Sequence, residues 1–387
     1  MIRIIASIFL CSLFTPLMAY DEIVVPFYSE KVKIAYSEDL LEGGDPLVEE
    51  QSLKRYFREM SLTNYHTLLG SLRRASRTLR LNDWLYYQLL QKTLQQIMAD
   101  ASSNQQVLMS WFMLSQSGYD TRLAYLGDQV FLYVYTQDDI YEAPMIKDEG
   151  RKYVNLTQIR SGRKARSALY LLGLHPNPDG HSFTFHLREL PLLRPQLSER
   201  SLRYFYKGEW YPLEVTVDEN IARYMEEYPI LGESLYLEAP FSSSLAKSLY
   251  PYLRQRIKGK NEWQATELLA AFTRSAFEYK EDKEHFGCSK PMIAEEVFLH
   301  PYSDCEDRSA LFFNLVRELL DLPMLVVAYP DHLTIAVALP QTKGGSIRYK
   351  GRNYYICDPT GPKKSHEIGR VPQGYENTAF KIIESYN

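Results

Sequence analysis

The chain has 387 residues, 45% of them hydrophobic and 24% charged, with 44 basic against 48 acidic side chains and four cysteines. The apolar fraction excludes a disordered chain, and the near-balance of charge gives no global pull toward nucleic acid or an anionic membrane surface. Four cysteines in this length are too few for a disulfide scaffold, and the length exceeds what one hydrophobic core normally serves, so two or three domains are expected.

Residues 1–19 read as a secretory signal. Arg3 supplies the charged start, residues 4–14 form an apolar run too short to span a bilayer, and Ala19 offers a small residue at a cleavage point before Tyr20. The expected mature protein is exported, periplasmic or extracellular. It has no membrane span and keeps Cys288, Cys305 and Cys357 once Cys11 leaves with the signal. Three blocks follow: 20–173, helical and then strand-like near 123–135; 174–250, β-rich; and 251–387, helical and ending in strands. In the middle block Phe183, Phe185 and Leu187 alternate with polar residues, the period of a half-buried strand. Residues 202–206 and 210–217 flank Lys207-Gly208-Glu209 as a hairpin. His175 and His181 bracket a Pro- and Gly-containing loop whose spacing matches no standard metal site, so the segment reads as a solvated linker.

The first and third blocks match each other in order. Asn82-Asp83-Trp84 and Leu89-Leu90 correspond to Asn261-Glu262-Trp263 and Leu268-Leu269 at an offset of 179 residues. Residues 107–109 correspond to 310–312, 123–124 to 326–327, and 132–134 to 335–337, all at an offset of 203. Gly150-Arg151-Lys152-Tyr153 corresponds to Gly351-Arg352-Asn353-Tyr354 at 201. This pattern reads as an internal duplication.

Chemistry concentrates in the third block. Ser303-Asp304-Cys305-Glu306 has the form of a capping box, with Ser303 and Glu306 as its two partners, and it puts Cys305 in the first turn of a helix. Free N–H groups and the positive end of the helix dipole are expected to favour a thiolate there. Phe312, Leu315, Val316 and Leu319 form the buried stripe of that helix, and Cys305 falls on the same stripe. His332 opens a strand. Thr334, Ala336 and Ala338 share its face, small residues that leave room for an approaching helix, while Leu333, Ile335, Val337 and Leu339 take the other face. Residues 353–357 run as a further strand into Asp358-Pro359-Thr360. A thiol needs a base to ionise at neutral pH and an imidazole needs a carboxylate to fix its tautomer, so the order Cys305, His332, Asp358 is that of a triad. Cys357 alternates away from Asp358 and reads as core. A Cys288–Cys357 disulfide stays open in an oxidising compartment.

Ala294-Glu295-Glu296-Val297-Phe298, then Ser303-Asp304-Cys305-Glu306-Asp307-Arg308-Ser309, Asp331-His332 and Tyr355-Ile356-Cys357-Asp358-Pro359-Thr360 resemble the transglutaminase-like cysteine enzyme superfamily, whose core is similar to that of papain-like proteases. The resemblance covers about residues 261–372. It implies an α+β fold with a helix packed on an antiparallel sheet, Cys305 as nucleophile, His332 as general base and acid, and Asp358 as the orienting acid. Two positions depart from the pattern: Ser303 stands where a Gly often precedes Asp-Cys, and Thr334 stands where the family has Trp after His-x. Nothing resembles a calcium site, and no metal or cofactor is implied. At the offsets above Cys305, His332 and Asp358 fall on Ser102, Gln129 and Thr157, so the first block reads as a degenerate copy. The function expected is an exported thiol enzyme that cleaves or transfers amide bonds of a peptide, a protein or a cell-wall peptide through a thioester. Hydrolysis is preferred over amine transfer because water is abundant. The alternative is a non-catalytic envelope binding or scaffold protein carrying a relic triad.

Overall fold

The computed structural model describes residues 20–160, 169–287, 289–340, 344–361 and 366–387. The expected signal at 1–19, with Cys11, and Cys288 with its expected pairing lie outside them. The chain is a mixed α+β structure with antiparallel sheets. It opens with the hairpin β1 (Asp21–Phe27) and β2 (Glu30–Tyr36), then the helices α1 (Glu50–Met60), α2 (Tyr65–Leu79), α3 (Asp83–Ile97) and α4 (Ser103–Gln116). The strands β3 (Thr121–Leu126), β4 (Gln129–Tyr135), β5 (Met145–Asp148), β6 (Arg151–Asn155) and β7 (Tyr170–Leu171) form one sheet in the order β5-β6-β4-β3-β7.

Residues 182–196 pair with no strand, although Phe183, Phe185 and Leu187 are all buried. Their alternation is met by a segment outside any ladder, whose N–H groups take mixed partners: Phe183 N–H donates to Tyr135 C=O at 2.8 Å, Thr184 N–H to Asp83 at 2.9 Å and Phe185 N–H to Asp138 at 2.6 Å. The hairpin expected after it forms as β8 (Leu197–Tyr206) and β9 (Glu209–Asp218), turned by Lys207 and Gly208 at φ 49° and 89°. The rest of the middle block is helical rather than β-rich: α5 (Asn220–Met225), α6 (Glu233–Leu237) and α7 (Ser243–Ile257), the last running through Pro251.

The final third holds α8 (Glu262–Ser275), the parallel pair β10 (Glu278–Tyr279) with β11 (Tyr302–Ser303), the short α9 (Asp282–His285) and α10 (Cys305–Leu320). The strands β12 (Met324–Tyr329), β13 (His332–Ala338), β14 (Ser346–Tyr349), β15 (Arg352–Cys357) and β16 (Lys381–Tyr386) then form a second sheet in the order β14-β15-β13-β12-β16. One hydrophobic cluster runs through the hairpins, the helices and the inner faces of both sheets, and a smaller cluster covers each outer face. Among the described residues no helix is long and apolar enough to cross a membrane.

The two sheets agree in register as well as order. Leu123 faces Leu132 as Val326 faces Ile335, Tyr133 faces Asn155 as Ala336 faces Ile356, and Ile146 faces Tyr153 as Ile347 faces Tyr354. The matching Asn-x-Trp segments are the starts of α3 and α8. Asn82 accepts from Leu85 N–H at 3.0 Å and Asn261 from Gln264 N–H at 2.9 Å.

Candidate active site

α10 begins at Cys305, one residue after its cap. Asp304, in extended conformation, accepts from Glu306 N–H at 3.2 Å, and the Asp307 carboxylate reaches back to Asp304 N–H at 3.0 Å. The expected cap partners, Ser303 and Glu306, are thus displaced by one position. Ser303 is held extended in β11, and its hydroxyl accepts from Arg308 Nε at 3.0 Å, so it is not free to cap. Arg308 is itself buried. It donates to the carbonyls of Arg274 at 3.2 Å and Phe277 at 2.7 Å, and burial brings its pKa down to about 10. That guanidinium ties the end of α8 to the first turn of α10, a role its adjacency to the Asp304-Cys305-Glu306-Asp307 segment signals but does not specify.

Cys305 lies on the buried side of α10, as the stripe predicts, at 7% exposure. The expected stabilisation of its thiolate is overturned. Burial pushes the thiol well above its usual value, and the Glu306 carboxylate adds to the rise. The backbone N–H of Leu333 opposes this only in part, while Asp304 and Glu281 raise it further. Desolvation and like-signed neighbours thus both act against the thiolate. Those neighbours are strained as well. Burial, then Asp304, pushes Glu306 up to about 8; burial raises Asp282 to about 6; and burial holds Asp307 well above the carboxylate range. Asp282, Asp304 and Asp307 bring oxygens within 4.8 Å of one another. Their hydrogen bonds go to the chain: Asp282 accepts from Lys290 N–H at 2.5 Å and Asp307 from Met292 N–H at 2.9 Å. They pin the approach segment against α10.

The sheet meets α10 with the opposite face from the one expected. Leu333, Ile335, Val337 and Leu339 join the core under the helices, and Ala336 and Ala338 lie in the outer cluster with Tyr329 and Tyr354. The larger aliphatic side chains bury more area against α8 and α10, and the alanines leave room for tyrosines from the neighbouring strands. Ser309 of α10 fixes the contact, its hydroxyl donating to Leu333 C=O at 3.0 Å.

His332, the first residue of β13, and Asp358, just past β15, meet at the end of the sheet. His332 Nε2 lies 3.3 Å from Asp358 Oδ1. The approach is off-line, so neither Nε2 nor Asp358 Oδ2 has a hydrogen bond of normal geometry. Burial alone would raise the Asp358 pKa. The close approach and charge of His332, with hydrogen bonds from Thr360 N–H at 3.1 Å and the Thr360 hydroxyl at 2.9 Å, outweigh it and hold the carboxyl below its ordinary value. Arg274 braces the same residue through Asp358 C=O at 2.7 Å. Tyr375 stacks on the imidazole, ring centroids 5.4 Å apart and planes 19° apart, with its hydroxyl on Asp331 at 2.7 Å. Its phenol lies in the field of both Cys305 and Asp358. No residue spacing announces Tyr375, which comes from a loop far along the chain. Among the described residues no hydrogen bond joins Cys305 to His332: the structure pairs the imidazole with the carboxylate and sets the thiol beside the next backbone N–H. Cys357 is a free thiol buried in the core, and burial pushes it up to about 12.

In the first sheet the positions matched to the triad carry Ser102, Gln129 and Thr157. Ser102 caps α4 with Gln105, and Thr157 accepts from Leu132 N–H at 2.9 Å. By element position Cys305 matches Ser103, the first residue of α4, rather than Ser102. The loop bearing His175 is less free than a solvated linker: His175 Nε2 meets the buried Asp120 carboxylate at 2.6 Å, and Gly180 packs where a Cβ would come within 2.5 Å of Asp120 N. With the geometry so described, no protein-family model, no curated protein and no solved structure matches this chain.

Proposed function

We propose that the chain is an exported thiol enzyme that opens amide bonds of a peptide, a protein or a cell-wall peptide through Cys305, with a papain- or transglutaminase-like core. The observation that carries this reading is the His332–Asp358 pair at 3.3 Å, at the sheet end that α10 meets with Cys305 in its first turn. Asp358 holds Nε2, which leaves Nδ1 of His332 to take the thiol proton. The sulfur attacks the carbonyl carbon, and the Cys305 N–H at the helix start faces the oxyanion. The amine leaves with the proton from His332, and water resolves the thioester. The agreement of strand order and register between the sheets supports a duplication in which the first copy is degenerate and kept for packing or binding.

A second reading, a non-catalytic envelope module with a relic triad, is favoured by the burial and raised pKa of the thiol. Incubation with labelled peptides and peptidoglycan fragments, followed by mass spectrometry, separates the two. An acyl adduct on Cys305 that is lost in Cys305→Ala supports the enzyme. Absence of any adduct, together with iodoacetamide kinetics unaffected by His332→Ala, leaves the binding module.

A further inference from the structure

Asp358 does not by itself fix the plane of the His332 ring. Nε2 lies 3.3 Å from Asp358 Oδ1, yet the approach is off-line and makes no hydrogen bond of normal geometry. A carboxylate met in that way supplies charge without direction, and the last torsion of a histidine side chain has broad wells. Tyr375 supplies what is missing. Its ring lies nearly parallel to the imidazole, planes 19° apart and centroids 5.4 Å apart. Tyr375 is in turn held from three sides. Tyr329, which faces His332 across the β12–β13 ladder, packs on it with ring centroids 4.9 Å apart. Its hydroxyl donates to Asp331, the residue before His332, at 2.7 Å. Its backbone closes two turns, Tyr375 N–H to Pro372 C=O and Thr378 N–H to Tyr375 C=O, each at 3.0 Å, and Gly374 at φ 95° lets the chain enter them.

We propose that Tyr375 is a positioning residue for His332: its ring, anchored on Tyr329 and Asp331, forms one wall of the imidazole's slot and keeps Nε2 turned to Asp358. The assignment rests on the thiol-enzyme reading. An imidazole that takes a proton at Nδ1 must carry its own proton on Nε2 beforehand, and that tautomer is favoured while Nε2 faces the carboxylate. A half-turn about the Cβ–Cγ bond puts carbon where each nitrogen stood, and it sweeps the ring edge through the space that the phenol occupies. The contact is made by ring faces, so it orients the imidazole without adding a charge that competes with Asp358. In this role Tyr375 touches neither sulfur nor substrate and acts only through His332.

Two readouts on the full-length protein test the role. NMR of isotope-labelled histidine at about pH 8, where an ordinary imidazole is neutral, reports which ring nitrogen carries the proton, and the His332 signal is the one lost in His332→Gln. The p-nitrophenolate burst on p-nitrophenyl acetate, taken per folded molecule, reports acylation of Cys305 and is assigned by its loss in Cys305→Ala. The wild-type His332 signal is expected to show one tautomer, protonated at Nε2. Tyr375→Leu keeps apolar bulk against Tyr329 but removes the flat face, so it should mix the tautomers and slow the burst about 10- to 100-fold. Tyr375→Phe keeps the face and loses only the bond to Asp331, so it should hold the single tautomer and a burst within about threefold of wild type. A purely structural role lowers the melting temperature of the leucine variant and leaves its tautomer unmoved. A Tyr375→Leu protein that keeps the wild-type tautomer or the wild-type burst, or a Tyr375→Phe protein that falls as far as the leucine variant, overturns the role of Tyr375 while leaving Cys305 as nucleophile. A wild-type protein that gives no burst assignable to Cys305 overturns the thiol-enzyme reading, and this inference with it.

Discussion

The two sheets share strand order and register, and both carry a histidine beside an aspartate, at opposite ends. In the first sheet Asp120 lies at the finish of β4, where Tyr135 N–H donates to Asp120 C=O at 2.9 Å. Its carboxylate is fully enclosed and fully engaged, by His175, by the Tyr153 hydroxyl at 3.0 Å and by the Arg151 guanidinium. In the second sheet the pair lies at the start of β13, Asp358 keeps one oxygen without a partner, and His332 stacks on Tyr375. A saturated carboxylate clamps a loop, whereas one left partly unsatisfied has capacity to orient a ring that must gain and lose a proton. The same scaffold thus hosts a fastening in one half and the candidate chemistry in the other, and side-chain satisfaction rather than fold separates them.

Substitution at the two aspartates probes that contrast most strongly. Asp358→Asn is expected to lower acyl transfer at Cys305 by about 10²- to 10⁴-fold, with a stability change under about 1.5 kcal/mol, read from burst kinetics and urea unfolding. Asp120→Ala should do the reverse, costing about 3 kcal/mol or more because it strands buried partners, while the Cys305 burst per folded molecule is retained. Equal effects of the two substitutions on rate would erase the distinction. Next comes the charge beside the nucleophile. Glu306 titrates at about 8 and its carboxylate raises the thiol pKa. Glu306→Gln should therefore speed iodoacetamide alkylation by up to about tenfold at pH 9, where the native residue is charged. At pH 6.5, where it is protonated, the variant should differ little.

The raised carboxylates also set a direction for stability. Asp282 at about 6, Glu295 at about 7 and Glu306 at about 8 keep protons in the folded state that the unfolded chain has released above about pH 4. The folded state binds more protons over that interval, so stability falls as pH rises from about 4 to about 8. The melting temperature at pH 5.5 should exceed that at pH 8.5, and Glu306→Gln should narrow the gap; a protein most stable at pH 8.5 would contradict these environments. The smallest effect tests the likeness of the halves. Glu149-Gly150 and Lys350-Gly351 turn equivalent hairpins with φ 48° and 79°, and 44° and 81°. A Cβ at either glycine meets nothing nearby. Gly150→Ala and Gly351→Ala should therefore each cost only the left-handed backbone term, about 1 kcal/mol, by chemical denaturation.

Much of this arrangement was legible in the chain because it rests on local rules. Matching Asn-x-Trp segments, a Lys-Gly turn, a buried stripe on α10, a strand that opens at His332 and one that runs into Asp358 are short-range patterns, and repeated offsets of 203 and 201 residues anticipated the matching registers. The failures share a cause. Ser303 and Asp304 both satisfy a capping pattern, and only the pairing of β11 with β10 and the guanidinium of Arg308 choose between them. The alternation at Phe183, Phe185 and Leu187 marks burial but not a ladder, because Asp83 and Asp138 take the donors of Thr184 and Phe185.

The sequence by itself determined a helix with Cys305 in its first turn, the strand that starts at His332, the carboxylate that follows the next long strand and their order, since periodicity and turn chemistry act over a few residues. Tertiary structure alone decided which face of β13 meets the helix, that Tyr375 covers the imidazole, and that burial and neighbouring carboxylates push the thiol up. Each of these depends on desolvation and on charges brought together from distant parts of the chain, and the free energy of a buried ionisable group is set by everything packed around it rather than by its neighbours in sequence.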